Sequence, residues 1–545
     1  MARRFDLRFP SAGQIERYRA TGLWIDSTLA KELEAGLIRN AATDYRVWSD
    51  LRPCETTMAG IHDRARRIAS GFLALGIGPG DVVSFQLPNW IEAVETFLAT
   101  MFIGAISMPV VQIYGPKETR FVLAHTGARL HVTTHAFRSL HYRPMMEEMR
   151  PHLPELQHLL YIDEHWDGLL AHEPLAKIHE GSPDDPAIIA FTSGTTADPK
   201  GAIHTHRSVL AEIRQRHVAA PGDPRMAPLN PPKGFDAWLT ASPVAHVTGL
   251  QTAVLLPILL DRRAALIDRW DVEAVLEALT EGNLFLAAAA TFFFNAMLAH
   301  PSFRPEHIHH MKYVVSGGAP VPRAFGEMCE AKGIKLVRGY GSTEHPTVFG
   351  CAFDDPVEKR IGTDGRLVAG AEVELRDADG NPVPPGVPGE IFSRGPDMFA
   401  GYTDATLNAT AFDDEGWFCT GDVGVMDEDG YYTLTDRTKD IIIRGGENIS
   451  AAEVEEALSK MPAVMEVAAV AAPDERLGEQ VCAFLRCREG HAAPGMAEMR
   501  AHLAAVGLAK QKWPEQIRVV DDFSRTPSGK IRKVDLRDML RREAT

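Results

Sequence analysis

Cysteine is scarce in this sequence, and long apolar runs are absent. The six cysteines are spread over 545 residues, and no two of them form a C-x-x-C pair. This spacing excludes a disulfide-rich scaffold and the paired ligands of a structural zinc site. The basic first residues lead into no apolar segment, and the most apolar stretch, residues 284–299, is too short to cross a bilayer. We therefore expect a cytoplasmic protein without a membrane span.

Positive charge is also in short supply. The sequence contains 57 Lys and Arg residues against 73 Asp and Glu residues, which gives a formal net charge of −16. A nucleic-acid partner is therefore excluded, because such binding depends on a broad basic surface. The P-loop pattern GxxxxGK[ST] and the GxSxG pattern of α/β-hydrolases are both absent. Hydrophobic residues make up 45% and charged residues 24%, proportions that are typical of a globular protein with a large core.

Short apolar runs alternate with amphipathic segments through the first 350 residues. The apolar runs at 187–191, 264–267, 284–288 and 313–315 predict buried strands, and the segments at 272–279 and 321–331 predict helices. This alternation predicts an α/β fold in which helices flank both faces of parallel sheets.

The pattern changes after about residue 365. Asp379-Gly380 and Asp429-Gly430 each separate runs of alternating polarity, which predicts hairpins and a β-rich subdomain at about 365–436. Residues 437–545 carry a net charge of +1, whereas residues 1–436 carry −17. We therefore predict a large domain over 1–436 and a small α+β domain over 437–545, with helices at 451–460, 496–506 and 533–543.

The segment Thr192–Gly201 directly follows the predicted strand at 187–191 and is rich in hydroxyl-bearing and small residues. Backbone N–H groups and hydroxyls in such a loop can surround phosphate oxygens, and a lysine adds positive charge. By composition alone, a plain flexible connection is the commoner interpretation. His204 and His206 follow and are expected to begin a helix without a catalytic role. The candidate phosphate-binding residues are Thr192, Ser193, Gly194, Thr195, Thr196 and Lys200.

Further motifs follow in order at 316–320, 339–344, 416–422, 437–449 and 525–530. With the Thr192–Gly201 loop, they resemble the motifs of the adenylate-forming superfamily, which includes acyl-CoA synthetases and the adenylation domains of peptide synthetases. The resemblance extends from about residue 50 to about residue 535. The sequence departs from the family pattern at two positions. Ala197 stands where Gly or Ser is frequent, and Asp436 stands where Gly is frequent. Neither change removes a charged or hydroxyl group.

The resemblance implies a site for ATP. Tyr340 would lie against the adenine ring, and Asp422 and Arg437 would hold the ribose hydroxyls. Small residues would surround the base and the phosphates: Gly317, Gly318, Ala319, Gly339 and Gly341.

The resemblance also implies which residues contact the reacting end of the nucleotide. Thr343 would contact the α-phosphate, and Glu344 would hold Mg²⁺ together with Thr196, since this hard cation prefers oxygen ligands. Lys530 would bridge the substrate carboxylate and the α-phosphate in the transition state.

A mobile C-terminal domain is a further implication of the resemblance. Gly445 and Gly446 would line the passage for CoA in a second reaction. Lys439 matches the hinge about which the small domain rotates between the two reactions.

The acid is expected to bind near residues 246–250, 291–294 and 339–341, with Val247, Gly249, Phe294 and Gly341 in contact with it. His246 would gate its carboxylate end; a histidine that caps the start of a helix is the alternative. Amino-acid-activating relatives have Asp where this chain has Val247, and relatives that activate 2-hydroxyaryl acids have Asn. Because valine pairs with neither an ammonium nor a hydroxyl group, we expect a medium-chain, alicyclic or simple aryl acid.

The resulting hypothesis is an ATP-dependent acid–CoA ligase with the acid, ATP and CoA as partners. A homodimer is one possible oligomeric state. One alternative is a stand-alone aryl-acid adenylating enzyme that loads a carrier protein, because residues 15–24 resemble the opening of such enzymes. Another alternative is an acyl-nucleotide binder without catalysis, against which the presence of Lys530, Glu344 and Lys200 argues.

Overall fold

The structure is a computed structural model that describes residues 5–192, 199–217, 237–282, 284–286, 291–308, 311, 313–318, 321–437, 440–444, 447–474, 477–526 and 529–544. Its α-helices are α1 Ala12–Ala20, α2 Leu29–Arg39, α3 Met58–Ala74, α4 Ile91–Phe102, α5 Pro116–Thr126, α6 Tyr142–Met149, α7 Ile162–Leu170, α8 His206–His217, α9 Val247–Leu250, α10 Leu256–Leu260, α11 Val272–Gly282, α12 Thr291–Ala299, α13 Arg323–Ala331, α14 Val357–Gly362, α15 Asn408–Ala411, α16 Ala451–Ser459, α17 Met496–Ala505 and α18 Lys533–Ala544.

The strands, numbered along the chain, are β1 Asp44–Trp48, β2 Cys54–Thr57, β3 Val82–Gln86, β4 Ile106–Pro109, β5 Leu130–Thr133, β6 Ala136–Phe137, β7 Leu140–His141, β8 His158–Tyr161, β9 Pro186–Thr192, β10 Lys200–Thr205, β11 Ala237–Thr240, β12 Arg263–Ile267, β13 Phe285–Leu286, β14 Tyr313–Gly317, β15 Lys335–Tyr340, β16 Phe349–Gly350, β17 Arg366–Leu367, β18 Glu372–Arg376, β19 Gly389–Arg394, β20 Phe418–Met426, β21 Tyr432–Arg437, β22 Ile442–Arg444, β23 Glu447–Ile449, β24 Val464–Asp474, β25 Gly478–Cys487 and β26 Gln516–Val519. A π-helical turn, Gln251–Leu255, joins α9 to α10.

Two mainly parallel sheets are built from strands of residues 44–286. One has the strand order β10-β9-β4-β3-β5-β8, and the other has the order β13-β11-β12-β1-β2. Only the edge strands β10 and β2 run antiparallel to their neighbours. Parallel strands need crossover helices, which cover the sheet faces and explain why β3, β4, β5 and β11 are buried along their whole length.

Helix α4 shows how deeply this core is buried. All twelve of its residues are buried, because it packs between β3 and β4 on one side and α2 and α3 on the other. The hydroxyls of Thr96 and Thr100 donate to the carbonyls four residues earlier, at 2.6 and 2.7 Å. Their polar groups are therefore satisfied within the helix itself.

Two smaller sheets follow along the chain, and the second lies within the predicted β-rich subdomain at about 365–436. Strands β14 to β17 form a sheet in that order, and strands β18 to β21 form an antiparallel meander, here called the meander sheet. Both predicted Asp-Gly turns are present: the carboxylates of Asp377 and Asp427 each accept two backbone N–H groups, and Gly380 and Gly430 have φ values of +83° and +79°. Glycine adopts this left-handed conformation without a steric cost.

The C-terminal region has its own sheet and its own core. Strands β23-β22-β25-β24 pair in that order and β26 joins β25, with α16 and α17 on one face and α18 on the other. The helices predicted at 451–460, 496–506 and 533–543 are present as α16, α17 and α18. The predicted fold class is therefore confirmed, while the division at residues 436 and 437 stays a prediction.

Two sequence-based details need correction. The helix predicted at 321–331 begins only at Arg323, because Pro322 takes the extended conformation of an N-terminal cap. The strand predicted at 284–288 covers Phe285–Leu286 among the described residues, and residues 287–290 lie outside them. No helix in the described part of the chain combines the length and the apolar character needed to cross a lipid bilayer.

Candidate active site

The candidate phosphate loop connects two paired strands. Thr192 ends β9, Lys200 begins β10, and the two residues face each other in the antiparallel pair. Ser193, Gly194, Thr195 and Thr196 lie outside the described residues. Lys200 therefore lies at the end of the β9–β10 pair, where a cation can meet an anionic ligand.

The two histidines after this loop differ in their placement. Helix α8 begins at His206 as predicted, but His204 lies on β10, because the pairing of β10 with β9 continues through Thr205. The expectation that His204 begins a helix is therefore wrong. Its Nε2 is 2.7 Å from the carbonyl oxygen of Thr343, and burial lowers its pKa, so a neutral ring donates this hydrogen bond.

A tight loop carries Thr343 and Glu344 at the end of β15. A Cβ atom on Gly341 would lie 1.9 Å from the carbonyl oxygen of Pro346, so the chain can fold back on itself only with glycine here. Within the loop, the Ser342 N–H donates to the His345 carbonyl at 2.9 Å, and the His345 N–H donates to the Ser342 hydroxyl at 3.1 Å. The sequence 341–346 therefore fixes the local geometry of the two candidate catalytic residues.

Tyr402 connects Glu344 to Lys200. The buried Tyr402 hydroxyl donates to Glu344 Oε1 at 2.8 Å, and the Lys200 ammonium lies 5.5 Å from the centre of the Tyr402 ring. Burial raises the pKa of the Tyr402 hydroxyl, and the Glu344 carboxylate raises it further, so this group stays a donor. No sequence pattern marks Tyr402 as a functional residue, because it lies in an irregular segment without a periodic signal.

We expect Tyr402→Phe to lower kcat/KM for MgATP about 10-fold or more, because a hydrogen bond to a charged group is worth about 1.5–3 kcal/mol. The matched control is Tyr431→Phe, which removes a buried hydroxyl that donates to Asp355 Oδ1 at 2.7 Å, away from Glu344. Steady-state pyrophosphate release measures both variants. Equal losses in the two variants would contradict a specific role for Tyr402.

The candidate nucleotide residues lie where the β14–β17 sheet meets the meander sheet. The hydroxyl of Tyr340 donates to Asp422 Oδ2 at 2.6 Å, and both side chains are buried. Asp422 faces Arg437 in the pairing of β20 with β21. Gly317 faces Gly339 across β14 and β15, and Gly318 follows with a φ of +72°. Ala319 and the side chain of Arg437 lie outside the described residues.

Three aromatic rings stack behind this position. The Tyr340 ring packs on Phe349 with 4.8 Å between centroids, and Phe349 packs on Tyr432 with 4.7 Å and an interplanar angle of 7°. One face of Tyr340 is thus fixed by the protein. A ring held in this way is rigid, which suits a surface for a flat base.

The candidate acid-binding residues begin α9. His246 occupies the N-cap position, but its side chain accepts no capping hydrogen bond from the described first turn, and Val247 is the first helical residue. A Cβ atom on Gly249 would lie 1.9 Å from the Pro243 carbonyl oxygen, so this helix packs directly on residues 242–243. Phe294 is fully buried in the main core, edge-on to Phe325 at 5.6 Å.

Lys530 projects from a tight turn of the C-terminal region. The Thr526 N–H donates to the Lys530 carbonyl at 2.8 Å, the Lys530 N–H donates to the Thr526 hydroxyl at 3.1 Å, and Gly529 has a φ of +84°. Arg525, which precedes the turn, forms a two-oxygen contact with Glu466 at 2.7 and 2.9 Å. A backbone turn and an ion pair thus anchor the lysine.

The charge of Lys530 acts on His246. Burial, the larger cause, and the positive charge of Lys530, the smaller one, together lower the pKa of His246 to about 4. His246 is therefore neutral at pH 7 and does not repel the lysine. Lys439, Gly445 and Gly446 lie outside the described residues, so their predicted roles at the hinge and in CoA binding stay predictions.

Comparison with known proteins identifies the family. The sequence profile of the AMP-binding enzyme family matches residues 40–403, and that of the AMP-binding enzyme C-terminal domain matches residues 453–530. The chain belongs to the AMP-binding enzyme family. The predicted resemblance to adenylate-forming enzymes is thereby confirmed, and the protein is an enzyme that uses ATP.

Relatives of the AMP-binding enzyme family match almost the whole chain. The medium-chain fatty-acid–CoA ligase of Escherichia coli (strain K12) is 34% identical over 536 residues, which cover 96% of this chain and 93% of that protein. The sulfoacetate–CoA ligase of Cupriavidus necator is 30% identical over 486 residues, 88% of this chain and 92% of that protein. The crystal structure of ATP-bound MatB from Rhodopseudomonas palustris has a TM-score of 0.83 at 25% identity and covers 94% of this chain and 99% of that chain.

Proposed function

We propose that this enzyme is an AMP-forming acid–CoA ligase that works in two steps. In the first, a carboxylate oxygen of the acid attacks the α-phosphorus of ATP, the bond between that phosphorus and the oxygen leading to the β-phosphate breaks, and acyl-AMP and pyrophosphate form. In the second, the CoA sulfur attacks the acyl carbon, AMP leaves, and the thiol proton is lost to solvent. Membership of the AMP-binding enzyme family supports this reaction class.

The observation that carries the proposal is the electrostatic interaction between Lys530 and His246. A lysine from the C-terminal region lies within electrostatic reach of the residue that begins the candidate acid-binding helix. In the first step, the Lys530 ammonium would bridge the carboxylate and the α-phosphate, while Lys200 holds the outer phosphates. Little proton transfer is needed, so positioning and charge neutralisation account for the catalysis.

The residues near Glu344 fit Mg²⁺. This ion is commonly held by one or two carboxylates together with substrate phosphates, and the Glu344 carboxylate is oriented by the Tyr402 hydroxyl beside Lys200. Glu344, with Thr196, would hold the ion, which when bound would neutralise charge on the phosphates. Thr343 would contact the α-phosphate from the same loop.

The remaining residues are assigned to the binding of the nucleotide and of CoA. Tyr340 would contact adenine and Asp422 the ribose, with Arg437 and the small residues Gly317, Gly318, Ala319, Gly339 and Gly341 around them. For the second step, rotation about Lys439 would replace Lys530 by the loop that holds Gly445 and Gly446. The cytoplasmic location and a homodimer stay predictions of the sequence.

We propose a medium-chain or alicyclic acid as the substrate and a simple aryl acid as the second choice. Val247 offers only apolar contact, and the relative that is 34% identical is a medium-chain fatty-acid–CoA ligase. An apolar pocket distinguishes substrates by about 1–3 kcal/mol per methylene group. Activity on a series of related acids is therefore expected.

The test is kcat/KM for hexanoate, cyclohexanecarboxylate, benzoate and 2,3-dihydroxybenzoate, measured by pyrophosphate release with and without CoA. We expect hexanoate or cyclohexanecarboxylate to exceed the dihydroxy acid about 10-fold or more, because Val247 leaves buried hydroxyls unpaired. Acyl-CoA formation is followed separately by chromatography. If the dihydroxy acid is preferred, or if only a carrier-protein thiol is acylated, the enzyme is an aryl-acid adenylating enzyme.

A further inference from the structure

A single buried carboxyl group connects the acid-binding helix to the loop that carries Thr343 and Glu344. Glu212 lies on α8 and is 2% exposed. Its Oε1 accepts hydrogen bonds from Gln251 Nε2 at 3.0 Å and from the Thr347 hydroxyl at 2.9 Å. One donor belongs to the segment that directly follows α9, and the other directly follows the loop at 341–346.

The Gln251 side of this connection is an irregular helix. Gln251 directly follows α9 and begins the π-helical turn Gln251–Leu255, whose hydrogen bonds span five residues instead of the four of an α-helix. Such turns are rare and are frequent at functional sites. Because Gln251 continues directly from α9, a ligand that displaces Val247 or Gly249 also acts on Gln251.

The Thr347 side is held from two directions. Besides the Glu212 contact, the Thr347 N–H donates to Asp397 Oδ2 at 3.3 Å, and the Thr347 carbonyl accepts from Gln215 Nε2 at 3.3 Å. Asp397 Oδ1 is 3.1 Å from His345 Nε2, the residue next to Glu344. Displacement of Thr347 is therefore transmitted to the backbone that positions Glu344.

The remaining contacts of Glu212 keep it in place. Arg216 Nη1 donates to Oε1 at 3.3 Å, and Gln215 Nε2 donates to Oε2 at 3.0 Å. The pKa of Glu212 is raised to about 7, chiefly by burial; Arg216 opposes this rise and the nearby Asp397 adds to it. Because Gln251 and the Thr347 hydroxyl donate to the same oxygen, a change in one of these hydrogen bonds alters the other.

We propose that Glu212 is a positioning residue that couples binding of the acid to binding of ATP. The proposal rests on the function proposed above. When the acid occupies the pocket beside α9, Gln251 and Thr347 are held on the same oxygen, and the loop with Thr343 and Glu344 takes its ATP-binding geometry. Because coupling is reciprocal, ATP tightens the binding of the acid by the same factor.

The test uses the full-length protein, hexanoate and the α,β-methylene analogue of ATP, which cannot transfer its α-phosphate. If the acid screen ranks benzoate first, benzoate replaces hexanoate. The Kd of the analogue with Mg²⁺ is measured by calorimetry without and with saturating acid. We expect the acid to tighten binding of the analogue at least 5-fold in the wild type, within the usual 5- to 150-fold range of allosteric coupling.

Two substitutions cut the connection at its two ends. Gln251→Met removes the donor on the acid side, and Thr347→Val removes the hydroxyl on the nucleotide side. Each should reduce the ratio of the two Kd values to about 1, and the double variant should show no further change, because the two side chains act through one carboxyl group. The Kd without acid should stay close to the wild-type value in Gln251→Met. Gln157→Met, which removes an acceptor for Arg129 far from α9, is the control.

A ratio near 1 in the wild type, or a wild-type ratio in Gln251→Met, would overturn the proposal. Thermal unfolding of each variant establishes that it is folded, and either variant alone is sufficient for the comparison. Failure of the proposed function has a different signature: the wild-type protein would then release no pyrophosphate from ATP with any acid in the screen.

Discussion

Lys530→Ala should lower the rate of acyl-adenylate formation by about 100- to 1,000-fold, the usual loss when one group that stabilises transition-state charge is removed. The lysine lies close enough to His246 for its charge to affect the pKa of that ring, and it is anchored by the turn at Thr526–Lys530. ATP–pyrophosphate exchange measures this step. Synthetic acyl-AMP and CoA should still give acyl-CoA at close to the wild-type rate, because in the proposed second reaction rotation about Lys439 replaces Lys530.

Lys510→Ala is the matched control, since this lysine is exposed on the same C-terminal region. Both half-reactions should be normal in it. Wild-type exchange activity in Lys530→Ala would contradict the role of this residue. A similar loss in both half-reactions would instead indicate damage to the turn, which circular dichroism and thermal unfolding would detect.

Gly341→Ala should disable adenylation although it adds only one methyl group. The new Cβ atom would lie 1.9 Å from the Pro346 carbonyl oxygen, and a backbone atom cannot move aside as a flexible side chain can. The loop must therefore open, which displaces Thr343 and Glu344. Because a displacement of about 1 Å can reduce activity about 100-fold, kcat/KM for MgATP should fall by at least that factor. The added strain should also lower the Tm.

The matched control for this substitution is Gly168→Ala. Gly168 lies on the exposed face of α7, and an added Cβ atom would meet nothing within 4 Å. Alanine should there be neutral or stabilise the helix by about 0.5–1 kcal/mol. If Gly341→Ala keeps more than half of the wild-type activity, the loop at 341–346 does not require its observed geometry.

Sequence patterns predicted the features that depend on local order. The strand before the phosphate loop, the two Asp-Gly turns and the three C-terminal helices each follow from a short stretch of residues whose periodicity or turn chemistry is explicit. Lys530 was identified from its own motif. Its proximity to His246, by contrast, depends on how the C-terminal region packs, which no local pattern contains.

The contacts that connect the site were not predictable from the sequence. Tyr402 and Glu344 are 58 residues apart, and Glu212 and Thr347 are 135 residues apart. Each pair contains at least one residue of an irregular segment, where the sequence shows no periodic signal. His204 illustrates a different limit. Strand β10 ends at Thr205 and helix α8 begins at His206, so the boundary lies within two residues of His204. Only the pairing of β10 with β9 shows that His204 belongs to the strand.

The stack of Tyr340, Phe349 and Tyr432 has a consequence for local stability. Phe349 belongs to the β14–β17 sheet and Tyr432 to the meander sheet, and Tyr340 reaches across to Asp422 of the meander. With ATP bound at Tyr340 and Asp422, detachment of the meander would release the ligand. Ligand at 100 times its Kd then adds about 2.7 kcal/mol to the free energy of that opening. A higher concentration of ATP would thus make separation of the meander sheet from the β14–β17 sheet rarer.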